Sequence, residues 1–148
     1  MLDVSSESLR QAYRIHLSCL KSCRNPGHPS LDLIRFYAAE CGLKYLWLKE
    51  KGLHNTLDMT KPDRKRVLTH DLPKIAELLA IPADEVPEGP NFYAATFTER
   101  DQIYFKDTHE AMRYGVVFKP NPSTGIDSRK DLIDWLDKVL KWTKSQIR

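Results

Sequence analysis

Residues 31–51 form an uninterrupted segment that is apolar on more than one face of a helix. Ser30 precedes it as a candidate N-cap, and Gly52 follows it where helices commonly end. Its apolar residues recur at helical spacing in two stripes. The first comprises Ile34, Tyr37, Ala38, Cys41, Tyr45 and Leu48, and the second comprises Leu33, Phe36, Leu43, Leu46 and Trp47. A helix with two apolar faces needs a partner on each. We therefore expect one face to pack in the core and the other against a partner molecule.

Three further segments show the apolar spacing of amphipathic helices. They run from Ser5 or Ser6 to about residue 24, over 68–79 and over 128–147, with proline-containing breaks between them. The stretch at 53–66 is polar and contains Pro62, which predicts a loop with at most one helical turn. The chain has 148 residues, 41% of them hydrophobic and 29% charged, as is usual for one globular domain. We predict an all-α fold, a single helical-bundle domain spanning residues 1–148.

Residues 102–106 and 113–118 are the exception to this helical pattern, because their composition favours β-structure. They can pair as a small hairpin, or they can form an ordered loop packed on the bundle at about 100–120. The intervening Thr-His-Glu-Ala-Met is not a tight-turn sequence, which favours the loop.

Composition excludes several classes of protein. The net charge of +3 is too small to indicate nucleic-acid binding by itself. No apolar stretch is long enough for a transmembrane helix, and the N-terminus lacks the pattern of a signal peptide. We therefore expect no membrane association and a cytoplasmic location. No phosphate-binding loop or dinucleotide motif is present, so we expect no cofactor.

A cysteine–histidine cluster raises the question of a metal. His16, Cys19, Cys23 and His28 lie close together in the sequence, and three of them share a helical face. The paired knuckles of structural zinc sites are absent, however, and small buried cysteines on a core face explain the pattern more simply. We predict no metal site.

Two other groups of residues are candidates for a structural or chemical role. Glu40 lies within the most apolar helix and needs a partner there, which Lys44 can supply at the i+4 position. Arg64 and His70 form an Arg-x5-His pattern in the stretch that follows. A histidine can accept the proton of a ribose 2′-hydroxyl while an arginine neutralises the phosphate, which is the chemistry of metal-independent RNA cleavage.

Three segments together resemble the HEPN domain superfamily. They are AAECGLKYLWLKEKG at 38–52, THDLPKIAELL at 69–79 and RYG at 113–115, followed by the last amphipathic helix. The resemblance implies an up-and-down bundle of four or five helices that is usually a homodimer. It also implies a role in a prokaryotic defence or toxin–antitoxin system, as an RNase or as a binding domain.

The resemblance leaves the activity open. In catalytic relatives the arginine–histidine motif lies near the start of a late helix, but here Arg113 is followed by Tyr114-Gly-Val-Val with no histidine. We therefore expect a non-catalytic or weakly catalytic domain that binds RNA or a nucleotide through Lys65, Arg66, Arg113 and Tyr114. The alternatives are a metal-independent endoribonuclease using Arg64 and His70 at a dimer cleft, and a structural subunit of a larger complex. Expected protein partners are a nucleotidyltransferase, a nuclease or an antitoxin.

Overall fold

A computed structural model describes residues 2–90, 92–94 and 102–148. This part of the chain is mainly helical, as predicted, with a small sheet added. The α-helices are α1 (Ser6–Ser22), α2 (Ser30–Glu50), α3 (Lys61–Val67), α4 (Leu72–Leu78), α5 (Thr108–Arg113) and α6 (Ser128–Gln146). The strands are β1 (Phe92–Ala94), β2 (Gln102–Ile103) and β3 (Phe118–Lys119), and two 3-10 turns lie at Thr56–Asp58 and Phe105–Asp107.

The long helix α2 lies at the centre of the fold, and its second apolar stripe is the more deeply buried of the two. Phe36 and Leu43 are fully buried in the main core, together with residues of α1, α4 and α6. Trp47 is 2% exposed and packs in a second cluster with Leu9 of α1 and Val67 of α3. From the polar 53–66 stretch, Met59 is buried in this second cluster and Leu53 packs against it. The first stripe is less covered, because Ile34, Tyr37, Cys41 and Tyr45 are only half-buried. The expectation that one face of α2 contacts a partner molecule therefore stays a prediction.

Gly42 permits close packing between α2 and its neighbours. A Cβ atom at this position would lie 3.0 Å from two ring carbons of Tyr13 in α1 and 3.3 Å from Cγ2 of Thr143 in α6. Tyr13 is buried, and its hydroxyl hydrogen-bonds to the Thr143 hydroxyl at 3.0 Å, so neither side chain is free to move. A glycine in mid-helix costs about 1 kcal/mol relative to alanine, and here it allows both helices to approach α2.

Side-chain caps mark the N-termini of α1, α3 and α6. Ser5 and Asp127 are the N-caps of α1 and α6, and each side chain accepts a backbone N–H from the first turn. The N-cap of α2 is Pro29 rather than Ser30, and it makes no side-chain hydrogen bond. Helix α3 occupies two turns of the stretch where a loop was expected, because Thr60 caps it and Pro62 sits in its first turn, where a missing N–H costs nothing.

The sheet matches neither the ordered loop that was favoured nor the alternative hairpin. Strands β2 and β3 both pair antiparallel with β1, in the order β2-β1-β3, and not with each other. The register places Phe92 opposite Ile103 and Ala94 opposite Phe118. Residues 105–113 between the outer strands are helical. The β-composition of the two segments was recognised, but their common partner is β1, which precedes both of them in the chain. Residues 100 and 101 of the predicted range lie outside the described residues.

Aromatic packing brings α5 to the centre of α2. The Phe105 ring lies 5.9 Å from Phe36 of α2 and 4.9 Å from Trp135 of α6, centroid to centroid. Phe105 belongs to the 3-10 turn that leads into α5. This contact places the first turn of α5 beside α2 and so positions a histidine of α5 in the candidate site. Within the described residues, none of the helices has the length and apolar character needed to cross a membrane.

Candidate functional site

Glu40 and Lys44 form an ion pair on the buried side of α2. Lys44 donates to Oε1 of Glu40 at 2.5 Å, and the two residues are only 8% and 7% exposed. Neither charge can exchange its partner for water at such burial, so each depends on the other for its solvation.

His70 contacts the same carboxylate from the segment between α3 and α4. Its Nδ1 lies 3.1 Å from Oε1 of Glu40, and 41% of its side chain is exposed. The ring nitrogen does not point at the oxygen as a hydrogen bond requires, so the contact has the geometry of an ion pair. Burial alone would raise the pKa of Glu40, but the contacts with His70 and Lys44 outweigh it and hold the pKa below its usual value.

His109 on α5 completes the group, which we call the Glu40 cluster: Glu40, Lys44, His70 and His109. The His109 ring lies 4.0 Å from His70 and 5.6 Å from Phe36, centroid to centroid. It is 5% exposed. Burial, and then the charge of His70, lower the pKa of His109. The sequence analysis missed this residue. Its position four residues before Arg113 on a short helix was the available signal.

Arg64 has a different role from the one predicted. Its guanidinium donates to the Asp3 carboxylate at 2.8 Å and to the Thr56 carbonyl at 2.7 Å. The hydrogen bond from Arg64 lowers the pKa of Asp3. These contacts tie α3 to the N-terminal segment. Arg64 and His70 therefore have separate sets of partners, and His70 belongs to the Glu40 cluster.

Lys65 and Arg66 line a groove between α3 and α4, here called the α3–α4 groove. Its volume is about 800 Å³, and its lining consists of Lys65, Arg66, Thr69, Lys74, Glu77 and Leu78. Arg66 also contacts Asp63 at 2.6 Å, and Lys74 contacts Asp71 at 3.4 Å. Lys65 is exposed and makes no ion pair with the described residues. The described lining of the groove thus contains three cations and one carboxylate, and two of the cations have a carboxylate partner outside it.

Arg113 and Tyr114 lie apart from this groove, at the end of α5. Arg113 donates to the Tyr37 hydroxyl at 2.9 Å, and this hydrogen bond raises the pKa of Arg113. Tyr114 is 72% exposed. Neither residue lines the α3–α4 groove, so the predicted RNA-binding residues divide between two places on the surface.

The cysteines and histidines of α1 do not form a ligand set. No group of three or more His, Cys, Asp or Glu side chains able to hold a metal occurs among residues 2–90, 92–94 and 102–148. Cys19 is exposed and Cys23 is half-buried. Burial, and then the charge of Glu40, raise the pKa of the Cys41 thiol on α2 to about 11. The thiolate, which is the form that binds metals, is therefore disfavoured.

Comparisons with protein-family models, with curated proteins and with solved structures gave no significant match to this chain. A function is therefore inferred from the geometry and charges of the site itself.

The Glu40 cluster predicts a specific pH dependence of stability. The pKa of His109 in the folded protein lies below its ordinary value of 6.5. On acidification the imidazole is therefore protonated in the unfolded state before it is protonated in the folded state. The free energy of unfolding consequently falls below about pH 6.5, by at most about 1.4 kcal/mol per pH unit. Glu40 has a lowered folded pKa, so its contribution is lost only in more acidic solution. Urea unfolding between about pH 7.5 and pH 5 measures the first window.

His109→Phe is expected to reduce the dependence of the free energy of unfolding on pH in that range. Phenylalanine keeps the ring contact with Phe36 but has no imidazole to protonate. Burial also lowers the pKa of His16, so His16→Gln should remove a separate part of the slope. His54 is exposed, and His54→Gln is the control that leaves the slope unchanged. A wild-type slope retained in full by His109→Phe would contradict the assignment.

Proposed function

We propose that this protein is a HEPN-like RNA-binding domain that holds phosphates in the α3–α4 groove without cleaving the RNA. The observation that carries the proposal is the groove itself, with the cations of Lys65, Arg66 and Lys74 around about 800 Å³ of open volume. Lysine and arginine side chains in a groove attract the phosphate backbone, and this attraction supplies most sequence-independent affinity. The adjacent ring of His70 is half-exposed and offers a surface on which a base can stack.

Several features favour binding over cleavage. The guanidinium of Arg64 is engaged by Asp3 and by the Thr56 carbonyl, so it is not free to neutralise a phosphate beside His70. His109 is almost fully buried and cannot reach a substrate. One observation favours the metal-independent RNase alternative: the Glu40 carboxylate lies beside the half-exposed His70, as an orienting group lies beside a general base.

The wider HEPN expectations belong to the same proposal. Helices α1 and α6 both pack against α2, which supports the up-and-down bundle. We infer a cytoplasmic homodimer that acts in a defence or toxin–antitoxin system beside a nucleotidyltransferase, nuclease or antitoxin. The exposed side chains of Tyr114 and Val117, which are 72% and 68% accessible, supply an apolar surface for the second subunit. Sedimentation of the purified chain tests the dimer, and a strict monomer would contradict it.

Replacement of Lys65 and Arg66 by alanine is expected to weaken RNA binding across sequences. Removing two phosphate contacts should lower the slope of log affinity against log salt by about 1.4 for a single strand. Fluorescence anisotropy with a labelled single-stranded RNA, titrated at salt concentrations between about 50 and 200 mM, measures both quantities.

The matched control is Lys130→Ala with Lys138→Ala, which removes two exposed cations of α6. Equal weakening by the control pair, or no binding of wild type at the lowest salt, would contradict the proposal. The same mixtures, kept in EDTA and run on a gel, separate binding from catalysis. Cleavage that disappears in His70→Ala would establish the RNase alternative instead.

A further inference from the structure

A second groove differs from the α3–α4 groove in the residues that line it. It lies between α1 and α6, has a volume of about 420 Å³ and is here called the α1–α6 groove. Its lining consists of Leu17, Leu20, Lys21, Arg35, Asp137, Leu140, Lys141 and Lys144. Leu140 is buried, and Leu17 and Leu20 are half-buried. The floor of this groove is therefore aliphatic.

The rim of the α1–α6 groove is basic. Lys21, Lys141 and Lys144 are exposed, and none of them makes an ion pair with residues 2–90, 92–94 or 102–148. Asp137, the one carboxylate among the described residues of the lining, forms an ion pair with Nε of Arg35 at 2.9 Å. Its charge is thus balanced within the groove, and three lysines remain without a counter-charge.

This combination distinguishes among classes of ligand. Single-stranded nucleic acid is held by cations together with aromatic side chains on which the bases stack, and no aromatic residue occurs among the described residues of the lining. An amphipathic helix, in contrast, lays aliphatic side chains into a groove of this kind. Lysines on both sides of the floor complement carboxylates that flank the apolar face of such a helix.

We propose that the α1–α6 groove binds an acidic amphipathic helix of a partner protein. Aliphatic side chains spaced three and four residues apart on that helix contact Leu17, Leu20 and Leu140. Its flanking glutamates or aspartates pair with Lys21 on one side and with Lys141 and Lys144 on the other. The site is separate from the α3–α4 groove and does not depend on RNA binding.

The test uses a labelled synthetic helical peptide of about 18 residues, with leucines on one face and glutamates beside them. A peptide of the same composition with its leucines dispersed around the helix is the control probe. By anisotropy, the full-length protein is expected to bind the first peptide and to bind the second at least about tenfold more weakly. Lys141→Glu with Lys144→Glu should weaken the first peptide at least about tenfold as well.

Lys130→Glu with Lys138→Glu places the same charges elsewhere on α6 and should leave peptide binding unchanged. Circular dichroism checks the fold of each variant. If charge reversal disturbs α6, the double variant Lys141→Gln with Lys144→Gln, which only neutralises the two lysines, replaces it in the test. Absence of binding, equal binding of the two peptides, or equal loss in the control pair would overturn the proposal. Displacement of the peptide by single-stranded RNA, or a change in sedimentation caused by the groove variants alone, would also overturn it. Those two results assign the groove to nucleic acid or to a second copy of this chain.

Discussion

Replacing Glu40 with alanine is expected to lower the free energy of unfolding by about 3–5 kcal/mol, because the ammonium group of Lys44 then lies buried without its partner. Lys44 is 7% exposed, so water cannot take the place of the carboxylate. Chemical denaturation followed by circular dichroism measures the change. This is one of the two largest effects expected from a single substitution in this protein.

The double variant Glu40→Leu with Lys44→Met tests the cause of that loss. Replacing both charges by apolar groups of similar size is often neutral or stabilising, so the double variant should recover most of the stability. The matched control is Asp134→Ala, which breaks the pair between Lys130 and Asp134. That pair has the same i,i+4 spacing, but its side chains are 70% and 54% exposed, so its loss should cost at most about 0.5 kcal/mol. Similar losses in Glu40→Ala and Asp134→Ala would show that burial of the pair does not matter.

Phe36→Ala is expected to destabilise the fold by about 3–5 kcal/mol, the range for deleting a fully buried aromatic ring. The Phe36 ring contacts Phe105 and His109, so the cavity would also loosen the attachment of α5 to α2. We therefore expect faster backbone hydrogen exchange in α5 than in α1. Denaturant unfolding and residue-resolved hydrogen exchange measure the two effects.

Tyr104→Ala provides the comparison, because this neighbouring ring is 71% exposed and its removal should change stability by no more than about 0.5 kcal/mol. Phe36→Leu keeps most of the apolar volume and should cost less than Phe36→Ala. If α5 exchanged no faster than α1 in Phe36→Ala, the aromatic contact would not be what holds α5 in place.

Helix positions were largely predictable because their causes are local. Ser5 caps α1, Asp127 caps α6 and Gly52, at φ +67°, follows α2, all as the residue types indicate. Gly42 shows another local cause, since a glycine inside an apolar helix allows a close neighbour, and a Cβ at this position would lie against Tyr13 and Thr143. Helix α3 was missed because its residues are polar and cationic, and its stability comes from a cap and from burial of Val67.

Long-range pairing was less predictable. The β-type composition of the segments that form β2 and β3 left a hairpin or an ordered loop open and the loop was favoured, yet both strands pair with β1. Strands of two residues carry too little pattern to specify a register. Here Phe92 and Phe105 bury their rings in the same core, and this packing brings the strands together.

The long helix α2 shows the same distinction between local and long-range causes. Its sequence alone determined that residues 30–50 form a helix with two apolar faces and a carboxylate that needs a partner, because spacing, capping and burial of charge are properties of one segment. Only the tertiary structure decided how deeply each face is buried, that His70 contacts Glu40, and that His109 packs against His70. Those contacts join residues that are 30 and 39 positions apart in the chain, and such distant pairs are selected by the packing of the whole core rather than by any local pattern.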